Sequence, residues 1–245
     1  MRGLIIAAGA GSRLRPLGGP KPLVKLAGRP IIEHVARASA LAGLDGLVVV
    51  IGYRAELLEP ALHDIASRCR LPITIIRNPA WQLGNGTSVL AAEPLLKDPF
   101  ALMMADHLFD PSLLASLIEA GRRSRGVDIL LAIDRKLDNP LVDLDDVTRV
   151  HCIGDRIIRL GKGLSLYNAY DCGFFWCTPA LFRSLAETID RGDSSLSAGV
   201  QNAADRVARA YGFDIGTRLW IDVDDNAAWA RAEAALAAGT LGVGS

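Results

Sequence analysis

Arg13 and Lys21 are the first side chains in this sequence that suggest chemistry, because both flank a glycine-rich turn. The stretch Leu4-Ile5-Ile6-Ala7-Ala8-Gly9-Ala10-Gly11-Ser12-Arg13-Leu14 runs a short apolar strand straight into that turn. Pro20-Lys21-Pro22-Leu23 then sets a lysine between two prolines. Glycines let the backbone approach a ligand closely and turn its N–H groups inward. Cationic groups beside such a turn suit a polyphosphate, and the prolines stiffen the approach. Two other phosphate-loop patterns fit poorly. A Walker loop needs lysine and Ser/Thr directly after its last glycine, where this chain has Ser12-Arg13. A dinucleotide fingerprint needs a third Gly or Ala and an acidic residue ending the second strand. Leu14 stands at the first position, and the second strand ends Val50-Ile51-Gly52-Tyr53-Arg54. The turn therefore reads as a nucleotide-handling loop of another kind.

Carboxylates form the second group of candidates. Asp106 directly follows the apolar run Leu102-Met103-Met104-Ala105. In an open α/β sheet, ligands sit at the carboxyl ends of strands, so Asp106 faces the same edge as the glycine turn. A carboxylate beside a triphosphate site is a natural Mg²⁺ ligand. The bland alternative is a helix cap, but Asp110-Pro111 supplies a better one just downstream. In Trp220-Ile221-Asp222-Val223-Asp224-Asp225-Asn226, alternation puts Asp222 and Asp224 on one face of a strand end. One of these would complete a metal site with Asp106, Asp222 ahead of Asp224; the other, or Asp225, would cap the closing helix.

Three further segments are less specific. Gly84-Asn85-Gly86-Thr87-Ser88 suits a flat base pressed against the backbone, or equally a turn in which Thr87 or Ser88 caps a helix. Lys162, between Gly161 and Gly163, is either solvated or an anion contact. Asp171 lies in Tyr170-Asp171-Cys172-Gly173-Phe174. Among the histidines, His34 and His63 read as surface or boundary residues of amphipathic helices, and His151 falls in a strand. Only His107, beside Asp106, invites a role. No Ser/His/Asp, Cys/His or HExxH constellation emerges.

The elements that must position these residues follow from periodicity. Strands are expected at Gly3–Ala8, Leu47–Ile51, Pro72–Arg77, Phe100–Ala105 and Asp128–Ile133. Helical faces lie between them: Ile31, Ile32, Val35, Ala36 and Ala40; Leu57, Leu58, Ala61, Leu62 and Ile65; Thr87–Leu96; Leu113, Leu114, Leu117 and Ile118. That βαβ progression predicts a mostly parallel sheet with helices on both faces. The second half changes character. Val147–Ile153, Arg156–Leu160 and Cys172–Cys177 read as strands in hairpins, with a tight turn at Gly154-Asp155. A helix follows Pro179, then a strand at Arg218–Val223 and an alanine-rich helix at Asn226–Ala238. Residues 1–239 are expected to form a single domain and 240–245 a flexible tail.

Bulk properties narrow the class. The 245 residues, half of them hydrophobic, are enough for one sizeable α/β core. With 27 basic and 27 acidic residues the net charge is zero, so nothing argues for a nucleic acid or a membrane surface as partner. Cys69, Cys152, Cys172 and Cys177 have no CxxC spacing, which points to reduced, cytoplasmic thiols. Neither a signal peptide nor a membrane span is expected. A homodimer is compatible with the sequence.

The N-terminal stretch together with Pro20-Lys21-Pro22-Leu23 resembles the signature of the sugar nucleotidyltransferases. Gly84-Asn85-Gly86-Thr87-Ser88, Met104-Ala105-Asp106-His107 and Trp220-Ile221-Asp222-Val223-Asp224 are similar to stretches of the CTP:inositol-1-phosphate cytidylyltransferases. The resemblance runs in order from Leu4 to about Leu236. It implies a Rossmann-like, GT-A-type α/β fold with a mixed, mostly parallel sheet. It also implies Mg²⁺-dependent transfer of a cytidylyl group from CTP, or another pyrimidine NTP, to a phosphorylated small acceptor with release of pyrophosphate. Inositol 1-phosphate is the first choice of acceptor; a sugar 1-phosphate, phosphocholine or an aminoalkylphosphonate are the alternatives. By the same resemblance Ala7, Ala8, Gly9, Ala10, Gly11 and Ser12 would hold the nucleotide, with Asn78 and Ala105. Gly84, Asn85, Gly86 and Thr87 would read the pyrimidine. Arg13 and Lys21 would neutralise the triphosphate, and Asp106 with Asp222 or Asp224 would bind Mg²⁺. Lys162 would grip the acceptor phosphate, with His107, Asp171 and Gly173 on the acceptor side. A non-catalytic nucleotide-sensing domain is the rival of another class; it would be free to discard Lys21, Asp106 and the late aspartates, all of which are present.

Overall fold

The computed structural model describes residues 1–11, 13–14 and 19–242. In chain order the elements are β1 (Arg2–Ala7), β2 (Lys25–Leu26), β3 (Arg29–Pro30), α1 (Ile31–Leu41), β4 (Gly46–Ile51), α2 (Ala55–Cys69), β5 (Ile73–Arg77), α3 (Asn85–Ala91), β6 (Phe100–Met104), β7 (His107–Phe109) and α4 (Pro111–Arg123). They continue with β8 (Ile129–Asp134), β9 (Arg149–Ile153), β10 (Arg156–Gly161), β11 (Ala169–Cys177), α5 (Ala180–Asp190), α6 (Leu196–Val207), β12 (Ala210–Asp214), β13 (Trp220–Asp222) and α7 (Asn226–Ala237).

Nine strands form a mixed sheet in the order β5-β4-β1-β6-β11-β8-β12-β10-β9. β5, β4, β1 and β6 run parallel, as do β8 and β12. β11 enters antiparallel between β6 and β8, and β9 and β10 form the hairpin expected around Gly154-Asp155. β1 is apolar from Leu4 to Ala7 because both its faces are covered. Ile5 and Ala7 pack with Val35, Leu62 and Leu117 of α1, α2 and α4, while Leu4 and Ile6 pack with Val89, Leu185 and Val200 of α3, α5 and α6. A third cluster joins Leu108, Ile221 and Val223 to Ala232 and Ala235 of α7. Leu241, within the expected tail, is buried in it.

Several boundaries moved. α3 starts at Asn85 and stops at Ala91, because Pro94 redirects the chain into a short 3-10 turn at Glu93–Leu95. α6 and β12 had no counterpart in the sequence reading. α6 presents its buried face largely through alanines (Ala203, Ala204), and β12 has Gly212 at its centre, against the Ile133 side chain. Both features mute the usual periodic signals. His34 is not a surface or boundary residue. It is buried, its Nε2 lies 2.8 Å from the Leu26 carbonyl oxygen, and burial pushes its pKa down. The helix caps at Asp110 and Asp225 are as expected: their carboxylates accept from Ser112 N–H and Ala228 N–H, each at 2.7 Å.

Candidate active site

The carboxyl ends of the parallel strands create a cleft with two lobes. One lobe, of about 330 Å³, is walled by the turn after β1 (Ala8, Gly9, Gly11) and by Trp81, Asn85 and Ala105. Two glycines here are required by close approach. Gly11 has φ +52°, and a Cβ on it would lie 2.9 Å from Lys21 Cδ; a Cβ on Gly52 would lie 2.7 Å from Trp81 Cγ. Lys21 can therefore pass directly beneath the turn, and Trp81 can lie against the end of β4. The second lobe, of about 280 Å³, is lined by Lys162, Asp171 and Gly173 together with Asp143, Ser197 and Trp220. Asp106, Asp224, Asn85 and Met104 line both lobes.

Charges alternate along the junction. Lys21, only 6% exposed, donates to Asp106 Oδ2 and Asp224 Oδ1, and its Nζ is 3.8 Å from Asp222 Oδ1. Burial opposes a charged lysine, yet the three carboxylates outweigh it and raise its pKa. Arg13 Nη2 donates to Asp224 Oδ2 at 2.6 Å and to Asp146 Oδ2 at 2.8 Å, and Lys162 donates to Asp146 Oδ1. Against the effect of burial, Lys21 and His107 hold the Asp106 carboxyl well below the usual range, and Lys162 and Arg13 do the same for Asp146.

Asp222 differs. Burial, reinforced by neighbouring Asp106 and Asp224, pushes its pKa up to about 7, with His107 and Lys21 opposing. His107 Nδ1 lies 2.9 Å from Asp106 Oδ1 and 3.6 Å from Asp222 Oδ1. Burial would lower its pKa, but the two carboxylates raise it to about 9. Its ring stacks on Trp220, with centroids 5.8 Å apart.

Two donor sets at this junction could hold a divalent cation. Asp106, His107 and Asp222 form one and Asp146, Asp222 and Asp224 the other, each with ligand atoms within 4.8 Å of one another. Asp222 Oδ1 is buried without a hydrogen-bond partner. Hard carboxylate oxygens around an unsatisfied buried one fit the preference of Mg²⁺.

In the second lobe, Asp171 accepts from Gly173 N–H at 2.7 Å across a bulge in β11, and burial pushes its pKa up to about 6. Gly173 has φ +76°, and a Cβ there would lie 2.5 Å from His107 Nε2. Beneath the lobe, buried Asp134 accepts from Trp220 Nε1–H at 3.0 Å and from Asn139 Nδ2–H at 2.8 Å. It ties the loop after β8 to the strand that carries Asp222.

Comparison with known proteins places this geometry. Residues 3–160 match the model of the MobA-like NTP transferase domain. The chain belongs to that family of nucleotidyltransferases. A protein from Rubrobacter xylanophilus named bifunctional IPC transferase and DIPP synthase is 38% identical over 185 residues, covering 73% of this chain and 39% of the relative. A protein of the same name from Thermococcus kodakarensis is 32% identical over 225 residues, covering 91% and 48%. The chain thus spans less than half the length of these curated relatives. The solved structure of the inositol-1-phosphate CTP transferase from T. maritima superimposes with a TM-score of 0.81 at 30% identity, covering 93% of this chain and 90% of that one.

Within this NTP transferase domain, the residues singled out in the sequence fall into two groups. Arg13, Lys21, Asp106, His107, Asp222 and Asp224 converge at the junction, and Lys162, Asp171 and Gly173 line the second lobe. Ala7, Ala8, Gly9, Gly11, Asn85 and Ala105 line the first. Ala10 is not among its lining residues, and Ser12 lies outside the described residues. Others serve the framework. Asn78 is buried and spends its amide on Thr87 and Ser88. Cβ atoms at Gly84 and Gly86 would meet the backbone of Ser194, and Gly86 N–H donates to the Ser194 carbonyl at 2.9 Å. Thr87 donates back to the Gly84 carbonyl at 2.9 Å, and neither it nor Ser88 caps α3 by its side chain. Asn85 Oδ1 accepts from Leu196 N–H at 2.7 Å, at the start of α6. The glycine-asparagine-glycine run thus also serves the packing of α3 against α6. Asp146, Asp134 and Trp81 went unnoticed in the sequence. Asp143-Leu144-Asp145-Asp146 reads as a solvated acidic loop, and no spacing sets Asp146 apart.

Proposed function

We propose that the chain transfers a cytidylyl group from CTP to the phosphate of inositol 1-phosphate and releases pyrophosphate. The observation that carries this reading is the two-lobed cleft. Backbone and the cations Arg13 and Lys21 wall one lobe, Lys162 and carboxylates wall the other, and Asp106 and Asp224 stand between. The similarity to the inositol-1-phosphate CTP transferase over nine-tenths of both chains supports the choice of substrates.

The chemistry suits these residues. An acceptor phosphate, with a second pKa of about 6, is ionised at neutral pH and needs no general base. One of its oxygens attacks the α-phosphorus, the bond to the β-phosphate breaks in line, and the electron pair leaves on pyrophosphate. The barrier is the meeting of two anions. Unit charges ~4 Å apart repel by about 1 kcal/mol in water and several-fold more in a drier site. Arg13 and Lys21 offset that repulsion on the nucleotide side and Lys162 on the acceptor side. Asp106, Asp222 and Asp224 would hold Mg²⁺, which when bound neutralises triphosphate charge and stabilises the leaving pyrophosphate. The four free thiols favour a cytoplasmic setting. Among the described residues no helix is long and apolar enough to cross a membrane.

A substrate panel tests the proposal. CTP and UTP are each combined with inositol 1-phosphate, glucose 1-phosphate, phosphocholine and an aminoalkylphosphonate, with and without Mg²⁺, and pyrophosphate is detected. Release is expected to be fastest with CTP and inositol 1-phosphate and to need Mg²⁺. Faster release with another pair would reassign the acceptor or the base, and no release with any pair would remove the catalytic reading.

A further inference from the structure

Asp146 lies in the loop that joins β8 to β9. A turn fixes it there: Val147 N–H donates to the Asp143 carbonyl at 2.9 Å, and Asp145 N–H to the Asp143 carboxylate at 3.0 Å. Its two oxygens serve two different cations. Oδ2 accepts from Arg13 Nη2 at 2.8 Å, 133 positions away, and Oδ1 accepts from Lys162. Arg13 belongs to the nucleotide lobe and Lys162 to the acceptor lobe, so one carboxylate bridges the two.

Among the described residues Lys162 has no other ion pair, and Arg13 has one, to Asp224 Oδ2 at 2.6 Å. The Arg13 and Lys162 side chains are 50% and 63% exposed. Lys162 sits between Gly161 (φ +159°) and Gly163 (φ +75°). Long cationic side chains lose substantial rotamer freedom when they are fixed. Such a loss at the moment of reaction slows it, and a loss incurred on folding does not.

We propose that Asp146 is a positioning residue that aligns Arg13 and Lys162 across the cleft, so that their remaining donors meet the triphosphate and the acceptor phosphate in register. The proposal rests on the transferase reading above. A guanidinium has five N–H donors and an ammonium three. Asp146 engages one from each and Asp224 takes a second share of Arg13 Nη2, which leaves donors for phosphate oxygens. The arrangement has a cost, because a carboxylate here repels both anionic substrates. A site shaped only for tight binding would omit it. A site shaped for the transition state tolerates weaker ground-state binding in exchange for orientation.

Asp146→Asn tests this, since it keeps the shape and removes the charge. The variant is expected to lose roughly tenfold or more in kcat through misorientation, while KM for CTP and for inositol 1-phosphate stays level or falls. Asp146→Glu, which keeps the charge on a longer arm, should recover part of kcat. In a Lys162→Ala background Asp146→Asn should lower kcat by much less than in the parent, because the two residues act as one unit. An unchanged kcat, full additivity with Lys162→Ala, or a fall in melting temperature with raised KM for both substrates would overturn the proposal. So would a raised Mg²⁺ requirement, which would make Asp146 a metal ligand instead. Calorimetric titration with pyrophosphate needs no turnover and separates this proposal from the transferase reading. If the parent releases no pyrophosphate the transferase reading fails, whereas tighter pyrophosphate binding by Asp146→Asn still supports competition by the carboxylate and unchanged or weaker binding removes it.

Discussion

The lobe proposed for the nucleotide takes its backbone walls from two short runs at the ends of adjacent parallel strands, Ala7–Gly9 with Gly11 and Met104–Asp106, beside the side chains of Arg13, Lys21 and Trp81. The lobe proposed for the acceptor is made of side chains drawn from the loop after β8, the end of β10, the bulge of β11 and the start of α6. Backbone walls can serve any triphosphate, because every nucleotide presents the same phosphates. Side-chain walls set what lies at the other end of the reaction and can change one residue at a time. Asp106 and Asp224 belong to both, so substitutions there should damage both lobes, and substitutions farther out should divide the effects between them.

Lys21→Ala should do the greatest damage. Among the described residues, it removes the one buried cation that touches Asp106, Asp222 and Asp224 together and leaves only His107 and Arg13 to offset them. Turnover is expected to fall by roughly a thousandfold, and the melting temperature to drop because uncompensated buried charges destabilise. Adding Mg²⁺ should raise the melting temperature more in the variant than in the parent, since the cation binds the folded form. Equal Mg²⁺ responses would show that Lys21 and the metal do not share these carboxylates. Lys162→Ala should come next, with a fall in turnover of about a hundredfold and a raised KM for the acceptor alone. Near-parent activity would remove Lys162 from the site and leave the second lobe without its cation.

Gly173→Ala probes how the lobes meet. At φ +76° any side chain is strained, and this one would press on His107, which itself holds Asp106. The variant should lose about 1–3 kcal/mol of stability, measured by denaturant unfolding, and should be slower with every acceptor. An unchanged unfolding midpoint would mean that the bulge of β11 relaxes and does not brace the junction.

The same contrast explains what the sequence could reveal. Backbone-built sites need glycines at fixed offsets from a strand, and Gly9-x-Gly11 before Arg13 displays that need in one short run. Asp106 and Asp222 were legible because one follows an apolar strand closely and the other ends one, so their direction followed from the strands. Asp146 left no such trace, since its partners lie 133 and 16 positions away and only folding makes it a bridge. Gly84 and Gly86 carry a second demand that the sequence does not show: they also let the Ser194 backbone approach. α6 escaped notice because alanines carry much of its buried face, although its first turn, Leu196 and Ser197, closes the acceptor lobe.

The mildest expected effect separates the lobes most cleanly. Burial raises the Asp171 carboxyl to about 6 in the folded protein, against about 3.9 in an unfolded chain. Between those values the folded state holds more protons than the unfolded one, so this group makes stability fall as pH rises, and its contribution levels off above the folded value. Asp171→Asn removes the titration and retains an oxygen that can accept from Gly173 N–H. The difference in melting temperature, variant minus parent, should therefore grow more positive from pH 4 to pH 7 and then stay constant. A difference that does not vary with pH would mean that the carboxyl is solvated. The variant should also raise KM for the acceptor and leave KM for CTP unchanged, because Asp171 lines only the acceptor lobe. If KM for CTP rose equally, the lobes would not be separable at this residue, and the division of labour between backbone and side chains would have to be drawn elsewhere in the cleft.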